Sequence, residues 1–63
     1  MNDKTMLAEA IRTACLEAAL RAYEDAGISG LCEEGRWECA VQAIQAVDLS
    51  ALIKQAGSTD RNA

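Results

Sequence analysis

Apolar side chains recur every three or four positions along the first half of the chain. They form two stripes, one rich in alanine and one with larger side chains: Leu7, Ile11, Ala14, Ala18 and Ala22; Leu16, Leu20 and Tyr23. This spacing predicts a helix, and the alternation typical of a strand is absent. Thr5 is a suitable N-cap for that helix. The wide stripe of small side chains favours close approach of other helices, on two sides at once.

The end of the first helix has two candidates. The first is a turn at 27–30, in which Gly27 suits the position after a C-cap and Ile28 packs back; the second helix would then start near Ser29. Gly35 is an equally good turn residue, and a turn at 34–36 would leave Gly27 and Gly30 inside a long first helix. Each interior glycine costs about 1 kcal/mol relative to alanine. We favour the turn at 34–36, where the interior glycines would let another helix come close.

The most regular helical pattern follows, from Arg36 to about Val47. Its apolar positions share one face: Trp37, Ala40, Val41, Ile44 and Val47. Asp48 can cap a third, short helix from Leu49 to about Gln55, which Gly57 would end. The predicted fold is therefore all-α, a helical hairpin with a short third helix. We expect a single domain over residues 1–56 and a disordered polar tail over 57–63.

The size of the chain limits its core. A chain of 63 residues buries only about 60% of the surface that its unfolded form exposes. Such chains usually need disulfides, a bound metal or a partner chain to be stable. Alanine adds little buried apolar area, and the sequence has no Phe. We therefore expect two copies to pair about a two-fold axis as a homodimer resembling a four-helix bundle.

The net charge of −4 is concentrated in the middle of the chain. Five acidic residues lie close together and are opposed there only by Arg36: Glu24, Asp25, Glu33, Glu34 and Glu38. This field repels phosphate and argues against nucleic acid as a partner. A basic protein surface is the more compatible partner, and the alternative is a solvated face that keeps the protein soluble.

The three cysteines allow a sharper hypothesis. Cys32 and Cys39 flank Gly35, so a turn there would bring them together as a disulfide, or as a metal site completed by Cys15 or a glutamate. Their spacing matches no common zinc pattern, and free cysteine packs as a small hydrophobe, which is the alternative. We expect no signal peptide, no membrane span and a reducing, cytoplasmic location.

Enzymatic chemistry finds little support in the sequence. The chain has no His, which excludes an ordinary Cys-His nucleophile, and it carries no P-loop or dinucleotide fingerprint. We expect a non-catalytic protein with no cofactor and no metal, a regulator that binds another protein as inhibitor or adaptor. The predicted interface is an apolar surface carrying the only Trp: Leu16, Leu20, Tyr23, Leu31, Trp37, Val41 and Ile44. A thiol or metal module built on Cys32 and Cys39 is the alternative function.

Two resemblances to known groups of proteins involve the middle of the chain. Gly35, Trp37, Ala40 and Ile44 match the second half of a tetratricopeptide-type repeat over residues 31–49, whereas Gly27 and Ile28 depart from its first half. That resemblance implies a helical hairpin with a glycine turn, although one repeat cannot form a solenoid.

The longer run from Tyr23 to Glu38 contains YEDA, SGLC and EGRWE, and it resembles a group of very short bacterial proteins often labelled acetyltransferase. The resemblance implies a bacterial or phage origin and adds an acetyl-CoA-dependent acyltransferase as a third, disfavoured alternative. An enzyme of the common type needs a mixed sheet and a glycine-rich pyrophosphate loop, and the sequence predicts neither.

Overall fold

The part of the protein that the structure describes folds into three helices. The computed structural model describes residues 3–61, with side chains described up to residue 56. The helices are α1 (Asp3–Ile28), α2 (Glu33–Gln45) and α3 (Leu49–Arg61), and the described residues contain no strand. The all-α fold with a hairpin and a third helix is therefore confirmed. Thr5 lies inside α1, so its predicted role as N-cap is wrong.

Helices α1 and α2 form an antiparallel hairpin that packs through small side chains. Its most buried residues are Ala26, with 6% of its surface exposed, and Ala40, with 2%. The alanine-rich stripe of α1 is half-buried in the structure: Leu7, Ile11, Ala14, Ala18 and Ala22. Alanine lets two helix backbones approach closely but buries little apolar area. The hairpin is thus narrow, and its large side chains lie outside the seam between its two helices.

The turn between α1 and α2 lies at Ser29–Cys32, so the turn we favoured at 34–36 is wrong. Gly30 has φ +92°, and its N–H donates to Gly27 O while the N–H of Leu31 donates to Ala26 O, both at 3.0 Å. These two bonds define a Schellman motif, in which a left-handed glycine follows the last helical residues. Gly27 is helical, whereas Gly30 supplies the left-handed residue that was predicted at Gly27.

Helix α2 starts earlier than the apolar pattern predicts. Cys32 occupies its N-cap position without a side-chain cap bond, and Glu33 and Glu34 lie in its first turn. Carboxylates in that position interact favourably with the helix dipole, which helps to explain an early start. Gly35 lies within α2 rather than in a turn, and the helix ends at Gln45 rather than Val47.

Helix α3 begins where the sequence predicts. Asp48 Oδ1 accepts a 3.0 Å hydrogen bond from the N–H of Ala51, which confirms Asp48 as the cap. The helix continues through Gly57 to Arg61, so the helix end predicted at Gly57 is wrong. It packs on α1. The division into a domain over 1–56 and a disordered tail over 57–63 stays a prediction, and residues 1, 2, 62 and 63 lie outside the described part.

The hairpin and α3 together make an elongated molecule of 48 × 18 × 15 Å. Its radius of gyration is 14.8 Å, whereas a compact domain of this length would have about 11 Å. The chain exposes 5078 Å², and a compact monomer of 6.7 kDa would expose about 3,900 Å². The single chain therefore leaves much more surface in contact with solvent than a chain of its mass normally does.

Candidate functional site

An apolar groove runs along one side of the hairpin. It has a volume of about 440 Å³ and is lined by residues of both helices: Ala19, Leu20, Tyr23, Glu33, Trp37 and Ala40. Leu20 forms one wall and is 68% exposed, and Trp37 forms the other and is 66% exposed. Ala19 and Ala40 supply the small side chains that keep the groove open. Two large apolar side chains thus line one concave surface without covering each other.

A second, shallower groove adjoins the first on the outer side of α2. It shares Trp37 and is otherwise lined by Glu34, Glu38, Val41 and Gln42. Leu16 lies one turn before Leu20, and Ile44 one turn after Val41, so each extends the same side of its helix. All are exposed. We call this surface the Trp37 face and define it by its five large apolar residues: Leu16, Leu20, Trp37, Val41 and Ile44.

The closed end of the groove is held by polar contacts across the turn. The Tyr23 hydroxyl donates a 2.7 Å hydrogen bond to Glu33 Oε2. The guanidinium of Arg36 lies 5.8 Å from the centroid of the Tyr23 ring, and its Nε donates to Leu31 O at 3.2 Å. The hydrogen bond to the Glu33 carboxylate raises the pKa of Tyr23 above its ordinary value of 10.0. Tyr23 thus fixes the start of α2 against α1 and lines the groove at the same time.

Leu31 has a different position from the other predicted interface residues. A Cβ placed on Gly35 would come within 3.1 Å of the Leu31 side chain, so Leu31 packs over this glycine beside the turn. Gly27 has a similar role towards Arg36, whose guanidinium lies 3.1 Å from the position of a Cβ. Leu31 lines neither groove of the Trp37 face. The structure therefore brings six of the seven predicted interface residues to one side and places Leu31 at the turn.

The acidic residues surround the turn end of the hairpin. All five are exposed: Glu24, Asp25, Glu33, Glu34 and Glu38. Glu33 and Glu34 also lie in the first turn of α2, where the helix dipole favours them. The nearby cation, Arg36, is occupied by the Tyr23 ring and the Leu31 carbonyl. These five residues form a negative rim at this end of the molecule, and Glu33, Glu34 and Glu38 of that rim line the two grooves of the Trp37 face.

The turn geometry separates the two cysteines that the sequence placed together. Cys32 is the N-cap of α2 and Cys39 lies on the same helix, about 10 Å further along the axis at 1.5 Å per residue. A disulfide needs Cα atoms within about 7 Å, so the expected approach across a hairpin is wrong. Cys15, Cys32 and Cys39 are free. Among the described side chains, no group of three potential ligands is arranged to hold a metal ion.

A further groove of about 250 Å³ lies between α1 and α3. Leu7 and Leu52 line it together with Met6, Ala10 and Ala56, and Asp3 and Gln55 stand at its edge. Leu52 therefore packs back onto α1, whereas Ile53 stays 53% exposed. This groove lies at the end of the molecule remote from Tyr23 and the turn.

Comparisons with protein-family models, with curated proteins and with solved structures found no match. The two resemblances proposed from the sequence therefore stay predictions. Within the described residues, none of the helices is both long enough and apolar enough to cross a membrane.

The sequence pattern missed Ala19 and the contact between Arg36 and Gly27. Ala19 lies outside both predicted stripes of α1, although its spacing of four from Tyr23 places it on the same side of the helix. Arg36 is outside the apolar face predicted for its helix, and nothing in its spacing shows that it lies over Gly27 of the other helix.

Proposed function

We propose that this chain is a non-catalytic protein-binding module that acts through the Trp37 face. The observation that carries the proposal is the groove between Leu20 and Trp37, whose two walls are 68% and 66% exposed. Contiguous apolar surface with a polar edge is typical of protein interaction sites. Trp leads the residues that dominate the energy of such interfaces, because its large side chain buries much area with little loss of conformational freedom.

The role that fits this surface is that of a small acidic regulator, an inhibitor or an adaptor. The Trp37 face supplies the affinity, and the negative rim formed by Glu24, Asp25, Glu33, Glu34 and Glu38 disfavours acidic partners and attracts basic ones. Either a second copy of the chain or another protein with a basic surface meets these requirements. Three free cysteines are compatible with a reducing cytoplasm, where we place this activity.

The test compares two apolar truncations on the same hairpin. Trp37→Ala removes one wall of the groove, whereas Ile28→Ala removes a side chain that is 81% exposed and lines neither groove. Light scattering reports self-assembly, and affinity capture with the tagged chain reports a stoichiometric partner. We expect Trp37→Ala to abolish the association that the wild type shows and Ile28→Ala to keep it. Normal association of both variants, with unchanged helix content by circular dichroism, would contradict the proposal.

A further inference from the structure

The hairpin lacks the core that would stabilise it alone. None of the described large side chains is fully buried, and the two buried residues are Ala26 and Ala40. Among the described residues, ten large apolar side chains are exposed, and five of them lie together on the Trp37 face. Oligomerisation is one of the usual ways in which chains this small are stabilised, so we expect this surface to be covered in the folded protein. A second copy of the same chain is the one partner that every preparation of the folded protein contains.

We propose that the Trp37 face is covered by the Trp37 face of a second copy, in an antiparallel dimer. The two-fold axis would be perpendicular to the long axis of the hairpin, so that α1 and α2 of each copy form a four-helix bundle. This inference rests on the proposed function, because it identifies the protein that the Trp37 face binds. A two-fold axis makes the interface self-complementary, so the same grooves receive the same side chains from both copies.

The exposed area supports a second copy as the occupant. The chain exposes 5078 Å², which exceeds the surface of a compact monomer of its mass by about 1,200 Å². A standard stable interface buries about 800 Å² on each partner. The excess surface is therefore large enough for one such interface per chain. Pairing two hairpins side by side would also give the narrow molecule a thickness closer to that of a compact domain.

The charge distribution selects the antiparallel arrangement. Glu24 and Glu34 lie near the turn end, and Glu38 lies one turn beyond Glu34 in α2. Arg36, the cation beside them, is already engaged within the chain. A parallel pair would place the two turn ends together, and like charges would repel. In the antiparallel pair, the turn end of each copy lies near the open end of the other. There Arg12 stands one turn before Leu16, with 71% of its side chain exposed and Glu9 at 3.6 Å.

The first arm of the test measures mass and charge pairing. Sedimentation equilibrium of the wild type should give twice the 6.7 kDa mass of one chain. Arg12→Glu should weaken the dimer several-fold, as expected for an exposed charge pair, and Glu34→Arg in the same chain should restore part of that loss. Glu17→Arg changes the net charge by the same amount as Glu34→Arg and is the matched control. If Glu34→Arg restored no more of the dimer affinity of the Arg12→Glu chain than Glu17→Arg does, the proposed charge pairing would be overturned.

The second arm measures orientation. Ala8 is exposed on α1 and can be changed to a spin-labelled cysteine in a chain whose native cysteines are alanine. Ala8 lies ten residues from Ala18, near the middle of the face, so its two copies would be about 30 Å apart in the antiparallel dimer. A parallel dimer would bring them within about 20 Å, two interhelical distances. Pulsed dipolar spectroscopy distinguishes these values, and circular dichroism checks that the labelled chain folds.

The outcomes separate this inference from the proposed function. A dimer with the long label distance supports the antiparallel pairing. A parallel dimer overturns it, and so does a folded chain that stays monomeric at concentrations used for spectroscopy. In the monomeric case, the proposed function would still stand if another protein bound in a manner that Trp37→Ala abolishes and Ile28→Ala does not. The proposed function would fail if neither dimerisation nor the binding of another protein depended on Trp37.

Discussion

Tyr23 and Glu33 join the two helices of the hairpin through a 2.7 Å hydrogen bond between the phenol and the carboxylate. Tyr23 belongs to the last turns of α1 and Glu33 is the first residue of α2, so this bond spans the whole turn. The same tyrosine lines the groove beside Trp37. The contact that fixes the turn therefore also sets the position of the proposed binding surface.

The Tyr23 phenol should titrate above its ordinary value of 10.0, because the hydrogen bond to Glu33 and the negative charge of its carboxylate both disfavour the phenolate. Tyr23 is the only tyrosine of the chain, so the absorbance of tyrosinate follows this one group. Glu33→Ala removes both effects and should lower the pKa towards 10.0. An equal pKa in wild type and variant would show that the bond does not persist in solution.

The same bond predicts the direction of an alkaline change in stability. The pKa of Tyr23 is raised in the folded chain. The hydrogen bond to Glu33 therefore stabilises the fold at pH values below the pKa that Tyr23 has in the unfolded chain. This stabilisation is lost as the pH rises through the pKa that Tyr23 has in the folded chain. The free energies of unfolding of the wild type and Tyr23→Phe, measured with denaturant at equal protein concentration, should therefore converge above about pH 10. A difference in the free energy of unfolding that stays constant through this pH range would contradict the stabilising role of the Tyr23–Glu33 hydrogen bond.

Gly30→Ala should destabilise the hairpin by about 1–2 kcal/mol, the cost of a left-handed conformation for a residue with a Cβ. Gly30 has φ +92° and nothing lies within 4 Å of a Cβ there, so the loss would come from the backbone alone. Gly30→Asn is the matched control, because asparagine tolerates this region better. Chemical denaturation at a fixed concentration measures both. An equal loss of unfolding free energy in Gly30→Ala and Gly30→Asn would argue for a cause other than the left-handed backbone conformation.

Asp48→Ala should cost about 1 kcal/mol, as is typical for the loss of an N-cap. Asp48 Oδ1 accepts a hydrogen bond from the N–H of Ala51. Within the described residues α3 packs on α1 and not on α2, so the docking of α3 on α1 should be the part that weakens. Amide hydrogen exchange should accelerate in α3 and remain unchanged in the α1–α2 turn. Asp48→Asn keeps a capping oxygen and should retain most of the protection. Faster exchange spread evenly over all three helices would contradict a local role.

Periodicity predicts the helices well because each one carries its own pattern of apolar residues. The position of the turn is harder, since Gly27 and Gly35 are both suitable turn residues in the sequence and the structure uses neither. It uses Gly30-Leu31, which, like Gly27-Ile28, is a glycine followed by an apolar residue. Leu31 packs over Gly35 and Ile28 is 81% exposed. The turn is also held by contacts across the hairpin, such as the hydrogen bond between Tyr23 and Glu33, which no local pattern contains.

The position of Trp37 shows a second limit of sequence reasoning. Its spacing from Ala40 and Val41 predicts an apolar face, but the pattern cannot tell which part of that face meets α1. In the structure Ala40 is buried, whereas Trp37 is 66% exposed. Small side chains at the seam let the helices approach so closely that the indole lies outside it. Trp37 therefore does not pack in the core of a single chain, and its role at an interface stays a prediction.

The most direct test of the central claim, that the Trp37 face is covered by protein, is the emission of Trp37 over a dilution series. Trp37 is the only tryptophan, and light scattering on the same samples gives the mass. We expect short-wavelength emission while the protein is associated and a shift to longer wavelength as it dissociates. Emission of an exposed indole at every concentration, while the light-scattering mass shows association, would contradict that claim.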